Sequence, residues 1–147
     1  MMDTRHYCLW EMHHEIDTPS LESEVTILKE FIALEEKDEQ LTWMINFEGK
    51  VIGVAWIELL ENHSVKSPSV HLMIGDKSYR GRGIGKATMQ SLISYIKNNI
   101  LSEYVYSRHL KSNKVVARMN QGLGFKVDGD SYFDENGLEW QNVKLAI

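Results

Sequence analysis

The sequence is poor in the features that mark secreted, fibrous or membrane-spanning proteins. Its 147 residues include one cysteine, Cys8, so no internal disulfide can form and a reducing compartment is favoured. Two prolines, ten glycines and no internal repeat leave no low-complexity linker. The longest apolar run, VIGVAWIELL, is too short to cross a bilayer and contains Glu58, and the N-terminal segment lacks the basic start and apolar core of a signal peptide. We therefore expect a cytoplasmic protein without a membrane partner.

Composition and charge also restrict the partners. A net charge of −5 disfavours a polyanion, and the four tryptophans and six tyrosines are too scattered to form a stacking platform, so we expect no nucleic acid. Adjacent residues of a strand point to opposite faces, so His13 and His14 do not form a metal site, and no third ligand is suitably spaced. A chain of this length with 43% hydrophobic residues predicts a single domain over residues 1–147.

The spacing of apolar residues predicts interleaved strands and helices. Strands are expected at 4–11, 41–47, 51–60, 67–75 and 103–110, followed by two strands within 125–147 that an Asn-Gly turn joins. Helices are expected at 17–40, 86–100 and 112–124, the first with Leu21, Val25, Leu28 and Ile32 on one face. Because several joins are short enough for hairpins, the predicted α/β fold has a mixed sheet rather than a purely parallel one.

A dense glycine cluster, YRGRGIG at residues 79–85, stands at the start of the second long helix. A helix start carries unpaired backbone N–H groups, and glycines let an anion approach them, which indicates a phosphate site. A dinucleotide-binding Gly-x-Gly-x-x-Gly from Gly81 would need glycine where Lys86 stands. A nucleoside-triphosphate P-loop would need glycine and Ser or Thr where Arg80 and Ala87 stand. Both readings therefore fail.

The pattern that fits is Arg-x-x-Gly-x-Gly, with Arg80, Gly83 and Gly85 between a strand and a helix. In this the chain resembles the GCN5-related N-acetyltransferases, whose acetyl-CoA motif has this form. The segment NKVVARMNQGLGF is similar to the second conserved region of that family, in which an Asn, here Asn113, opens a short helix that ends in Gly-Phe, here residues 124–125. The resemblance extends over nearly the whole chain.

The resemblance implies a mixed, splayed sheet of about six or seven strands with helices on both faces. It implies acetyl-CoA as co-substrate, no metal, and direct transfer to a primary amine of a small molecule, such as an amino acid or a polyamine. A protein or peptide N-terminus, an aminoglycoside, or a non-catalytic CoA-binding module remain alternatives, and a homodimer is compatible with the family. The residues implied to bind the cofactor are Met73, Ile74, Gly75, Arg80, Gly81, Arg82, Gly83, Ile84, Gly85, Lys86, Asn113 and Asn120.

The general base departs from the family's common pattern. Many members use a Glu on the fourth or fifth strand, whereas this chain has Ser69 and His71 on the fourth and Arg108 on the fifth. Our first candidate is His71, because an imidazole titrates close to neutrality. The alternatives are water or one of the side chains Glu58, Glu61 and His109.

The proton donor for the departing thiolate departs as well. The family commonly has a Tyr seven residues after the motif Asn, and this chain has Asn120 there. An amide cannot supply a proton in turnover, but it can hydrogen-bond the sulfur or the pantetheine arm. Protonation would then fall to water or a nearby tyrosine, with Tyr106 as the candidate beside Tyr104 and Tyr132.

Arg108 and Ser69 are the predicted acceptor-site residues. The planar fork of an arginine suits a carboxylate, as in a free amino acid or a peptide terminus. A solvated surface arginine is the alternative. Because Cys8 has no evident base beside it, we expect no acyl-enzyme.

Overall fold

The computed structural model describes residues 21–61 and 65–147, which form a mixed α/β fold with a seven-stranded sheet and three α-helices. The helices are α1 (Leu21–Glu36), α2 (Ile84–Asn99) and α3 (Lys114–Gly122). The strands are β1 (Gln40–Phe47), β2 (Lys50–Glu58), β3 (Ser69–Ile74), β4 (Tyr104–Leu110), β5 (Lys126–Val127), β6 (Tyr132–Phe133) and β7 (Glu139–Ala146). The strand predicted at 4–11, with Cys8, and the pair His13 and His14 lie outside the described residues. Within the described ranges, no helix is both long and apolar enough to span a bilayer.

The strand order is β1-β2-β3-β4-β7-β5, and β6 pairs with β7. All pairs are antiparallel except β3 with β4. The turn between β1 and β2 has left-handed φ angles of 51° at Glu48 and 82° at Gly49, which match the twist of a two-residue hairpin. As its apolar run predicts, β2 lies inside the sheet between β1 and β3. The mixed sheet predicted from the sequence is confirmed.

The central strands β3 and β4 separate almost from their start. β3 follows β2 along its whole length but pairs with β4 only through Ser69 and Tyr106. Gly53 permits the close contact of β2 with β3, because a Cβ there would lie 2.0 Å from the carbonyl oxygen of Met73. Beyond the single pair, the hydroxyl of Ser107 donates to the carbonyl of Val70 at 2.8 Å. Past this side-chain bridge the sheet is open.

The helices cover both faces of the sheet. On one face α2 buries its apolar stripe, including Met89 and Ile96, in a core with Ile57 and Val70. On the other, Phe31 of α1 contacts Trp56 with ring centroids 5.2 Å apart. The predicted placement of helices on both faces of the sheet is therefore confirmed.

The predicted apolar face of α1 is corrected by the structure. Val25 and Ile32 are exposed, whereas Phe31, which the predicted face omitted, is buried. The helix thus contacts the sheet through a neighbouring stripe of its surface, because burying the large ring of Phe31 removes more apolar surface from water than burying Val25 or Ile32 would.

The C-terminal region also differs from the prediction of two strands. Three strands form, of which β5 and β6 contain two residues each and both pair with the long β7. The predicted Asn-Gly turn, with Gly137 at φ 78°, joins β6 to β7. The sequence pattern missed β5 because two residues are too few to show an alternation.

Candidate active site

The gap between β3 and β4 opens into a cavity of about 400 Å³, bounded by the loop after β3, the start of α2 and α3. The predicted site residues that line it are His71, Met73, Ile74, Arg80, Gly81, Gly83, Ile84, Gly85, Lys86, Arg108, Asn113 and Asn120. Four others do not: Ser69, Gly75, Arg82 and Tyr106. The structure therefore brings residues from distant parts of the sequence to one cleft.

The loop that enters α2 presents its backbone to the cavity. Gly81 and Gly83 adopt left-handed conformations, with φ of 72° and 79°, and none of the described side chains caps the start of α2 after Gly83. Among the described residues, the amides of residues 81–86 find no hydrogen-bond acceptor. The guanidinium of Arg80 donates to the carbonyl of Ile74 at 2.9 and 3.3 Å, which fastens this loop to the end of β3. Such a row of amides at a helix start is suited to an anion.

Only one of the two predicted loop cations is directed to the cavity. Lys86 lines it beside the amides. The guanidinium of Arg82 instead stacks near Phe47 and Tyr79, 5.0 and 5.5 Å from their ring centroids. The aromatic partner Phe47 comes from the end of β1, which local sequence around the loop does not reveal.

The edge of β3 that faces the gap is set by its pairing with β2. Gly75 donates its amide to β2 at 3.0 Å. Backbone N–H and C=O groups alternate in direction along a strand. Those of Met73 therefore also point toward β2, whereas those of Leu72 and Ile74 point toward β4. The carbonyl of Ile74 is occupied by Arg80. The backbone of Leu72, which was not among the predicted site residues, and the N–H of Ile74 are therefore directed into the gap.

A cluster of polar side chains lies on the face opposite α2. His71 is buried and stacks on Trp56, with ring centroids 5.4 Å apart. Its Nε2 lies 2.9 Å from the hydroxyl of Ser69 and 3.6 Å from the carboxylate of Glu58. The indole of Trp56 donates to Glu58 at 3.2 Å. Ser69 thus contacts the Nε2 side of the His71 ring and does not line the cavity.

Glu58 supplies a fixed negative charge to this cluster. Burial raises the pKa of Glu58, but the charge and hydrogen bond of His71, the hydrogen bond from Trp56 and the charge of Arg108 outweigh it and lower that pKa from 4.5 to about 2. A proton on Nε2 of His71 therefore faces a carboxylate. The other ring nitrogen, Nδ1, has no hydrogen bond to the described residues and is the one that can accept a proton in the cavity. The sequence predicts Glu58 only as an alternative general base and does not reveal that it contacts His71.

Arg108 lines the same side of the cavity and is buried, with 8% of its surface exposed. Its guanidinium lies 4.1 Å from the ring centroid of Trp140 and donates to the hydroxyl of Tyr132 at 3.1 Å. Tyr132 in turn donates to Asn142 at 3.3 Å. The alternative of a solvated surface arginine is excluded by this burial.

Side chains from α3 and the end of β4 also line the cavity. Asn113 caps α3 by accepting the amide of Val116 at 3.2 Å. Asn120 is 1% exposed, and neither its amide nitrogen nor its oxygen has a partner in the part of the chain that is described. His109 donates from Nδ1 to the carbonyl of Leu110 at 2.8 Å, which leaves Nε2 as the acceptor of the neutral ring.

Tyr106 lies away from these groups. Its ring is 6.1 Å from that of Tyr104, and the ammonium of Lys66 lies 5.8 Å from its centroid. The structure thus does not bring Tyr106 to the cavity.

Comparison with known sequences relates the chain to one family. The model of the Acetyltransferase (GNAT) family matches residues 7–125. The probable spermine N(1)-acetyltransferase of Bacillus subtilis subsp. natto (strain BEST195) is 24% identical over 92 residues, 60% of each chain. N-acetyltransferase 8B of Homo sapiens is 29% identical over 96 residues, which cover 62% of this chain and 40% of that protein. The chain thus spans about half the length of the curated relatives it matches.

Solved structures share the fold. The acetyltransferase that modifies the N-terminal serine of ribosomal protein L7/L12 from Salmonella typhimurium has a TM-score of 0.75 at 14% identity and covers 97% of this chain and 87% of its own. The microcin C7 self-immunity acetyltransferase, in complex with acetyl-CoA and AMP, has a TM-score of 0.72 at 16% identity, covering 88% and 73%. Because the family model matches more than half of the sequence, this chain belongs to the Acetyltransferase (GNAT) family.

Proposed function

We propose that this protein transfers acetyl directly from acetyl-CoA to the primary amine of a small molecule of the amino acid or polyamine type. The observation that carries the proposal is the row of amides at residues 81–86, which find no acceptor in the described ranges, beside the gap between β3 and β4. Family membership supports an acetyl-CoA-dependent N-acetyltransferase. Similar structures hold acetyl-CoA or CoA, which supports the same co-substrate.

The residues present fit this co-substrate. The amides of residues 81–86, with Lys86 beside them, would hold the diphosphate. The backbone of Leu72 would pair with an amide of the pantetheine arm in the manner of an added strand. Asn120 is a buried carboxamide whose nitrogen and oxygen both lack partners in the described part of the chain, so a second pantetheine amide would satisfy it. When bound, acetyl-CoA supplies an acyl group already activated as a thioester.

His71 is the proposed general base. It lies on the wall where β3 and β4 part, and its Nδ1 would accept the proton that the amine loses as the nitrogen–carbon bond forms and the carbon–sulfur bond breaks. Glu58, 3.6 Å from Nε2, would stabilise the imidazolium that results. Water would protonate the thiolate, because Tyr106 lies outside the cavity and the amide of Asn120 cannot supply a proton.

The test combines binding with turnover. Titration calorimetry with acetyl-CoA should give saturable heat, and a thiol-release assay should then show steady CoA production with at least one amine from a panel of amino acids, polyamines, a peptide and an aminoglycoside. Binding without turnover on any amine would reduce the protein to a CoA-binding module. No saturable heat at millimolar acetyl-CoA would overturn the proposal.

A further inference from the structure

The guanidinium of Arg108 is a buried cation that has no anionic partner among the described residues. It has no carboxylate within 4.0 Å in residues 21–61 and 65–147, and its Nε has no hydrogen-bond partner there. We infer that the acceptor carries a carboxylate, and that Arg108 binds this group while His71 receives the proton of the amine. The inference rests on the proposed function and narrows its substrate class to amines that are also acids.

The surroundings of Arg108 hold it in one orientation. Trp140 supports one face of the guanidinium at 4.1 Å, and Tyr132 accepts a hydrogen bond from Nη1. Tyr132 is itself held by Asn142, which lies opposite Arg108 on β7. The fork is therefore fixed before any ligand arrives, which lowers the entropy lost on binding.

The nearby carboxylates are engaged elsewhere. Glu58 is paired with His71 and accepts from Trp56. Asp134 accepts from the indole of Trp140 at 2.9 Å and from two backbone amides. The charge of Arg108 contributes to lowering the pKa of both acids, but neither contacts it. Since burying a cation without a paired anion is costly, an anionic ligand group is the missing partner.

The position of Arg108 assigns this ligand group to the acceptor rather than to the co-substrate. Ser69 and Tyr106 pair across the parallel strands, so His71 and Arg108, each two residues farther on, lie on the same face of the sheet. That face is opposite α2, the helix whose start carries the amides proposed to bind the co-substrate. A planar fork suits a carboxylate, and a buried cation repels the ammonium groups of a polyamine.

The test compares acids with their amides. Glycine, alanine, β-alanine and γ-aminobutyrate would be assayed by thiol release against their carboxamides, with spermine and putrescine in the same panel. In the wild-type protein, kcat/KM should be at least about tenfold higher for the best acid than for its amide, as expected when a buried charge would otherwise stay unpaired. In Arg108→Gln that ratio should fall to about one.

Arg118→Gln is the matched control, because it removes an exposed arginine from α3. The acid preference should persist in this variant. Equal use of acid and amide by the wild type, or spermine as the best acceptor in both the wild type and Arg108→Gln, would overturn the inference.

Binding gives a readout independent of turnover. With CoA present, the amino acids should raise the melting temperature of the wild type but not of Arg108→Gln, and Arg108→Lys should recover part of the shift because it keeps the charge. If no amine is acetylated, the proposed function fails, and this shift alone decides the inference. Equal shifts in wild type and Arg108→Gln, or no shift in the wild type, would overturn it.

Discussion

The two walls of the cleft present different chemical groups. The wall formed by the loop of residues 81–86 and the edge of β3 presents backbone groups, and its glycines matter for their conformation. The opposite wall presents the side chains of His71, which contacts Glu58 and Trp56, and of Arg108, which contacts Trp140. Backbone amides bind the same ligand whatever the neighbouring side chains are. We therefore expect the first wall to be common to the family and the second to decide the acceptor.

The largest expected effect falls on the side-chain wall. Replacing His71 with Gln keeps a polar group beside Ser69 but removes the proton acceptor, so kcat should fall by roughly 100-fold or more. The affinity for acetyl-CoA, measured by calorimetry, should stay within about twofold because binding belongs to the other wall. A kcat within a few-fold of wild type would mean that water is the base and that His71 only packs against Trp56.

A smaller effect is expected on the backbone wall. Gly83→Ala places a methyl group on the amide row and should weaken acetyl-CoA binding by about tenfold or more. Gly129→Ala is a matched control, since both glycines have φ of 79° and open space at the Cβ position, but Gly129 does not line the cavity. Both variants should lose similar stability, and the wild-type affinity should survive in Gly129→Ala. Equal affinities in the two variants would remove the loop from the binding site.

The smallest kinetic effect is expected at Glu58, which acts through His71. Glu58→Gln should lower kcat by roughly tenfold, because it removes the carboxylate that stabilises the imidazolium of His71, and should shift the pH–rate profile. Glu61→Gln, an exposed carboxylate outside the cavity, is the control and should leave both unchanged. An unaltered pH–rate profile in Glu58→Gln would separate Glu58 from the chemistry.

The same carboxylate predicts an acid limb of stability. The pKa of Glu58 is lowered in the folded state to about 2 from 4.5, so its stabilisation is complete above pH 4.5 and is lost as the pH falls toward 2. The contribution is on the order of 3 kcal/mol. Urea unfolding of wild type and Glu58→Gln between pH 5 and 2 should show their free energies of unfolding converging as the pH falls. A constant difference across that range would show that the carboxylate is not held ionised in the fold.

Local patterns in the sequence were sufficient to predict those features that depend on a single segment of the chain. The hairpin of β1 and β2, the apolar stripe of α2 and the glycine loop at its start all follow from spacing within a few residues. The contacts that set the second wall follow from register instead. Arg108 meets Tyr132 and Trp140 only because β4 and β6 both pair with β7.

The same reason explains the cofactor residues that were placed differently. The sequence alone could not tell which residues of β3 turn their backbone to the gap, because that depends on the pairing of Gly75 with β2. It could not tell either that Arg82 would stack on Phe47 from a different strand.

The central claim is that the backbone amides of residues 81–86 bind the diphosphate of acetyl-CoA. The most direct measurement is an NMR titration of the 15N-labelled protein with CoA, following each amide resonance. We predict that the largest and saturable shift changes fall on residues 81–86, with further changes at Leu72 on the edge of β3. Unchanged resonances at residues 81–86 at millimolar CoA, or saturable changes confined to another surface, would contradict the account.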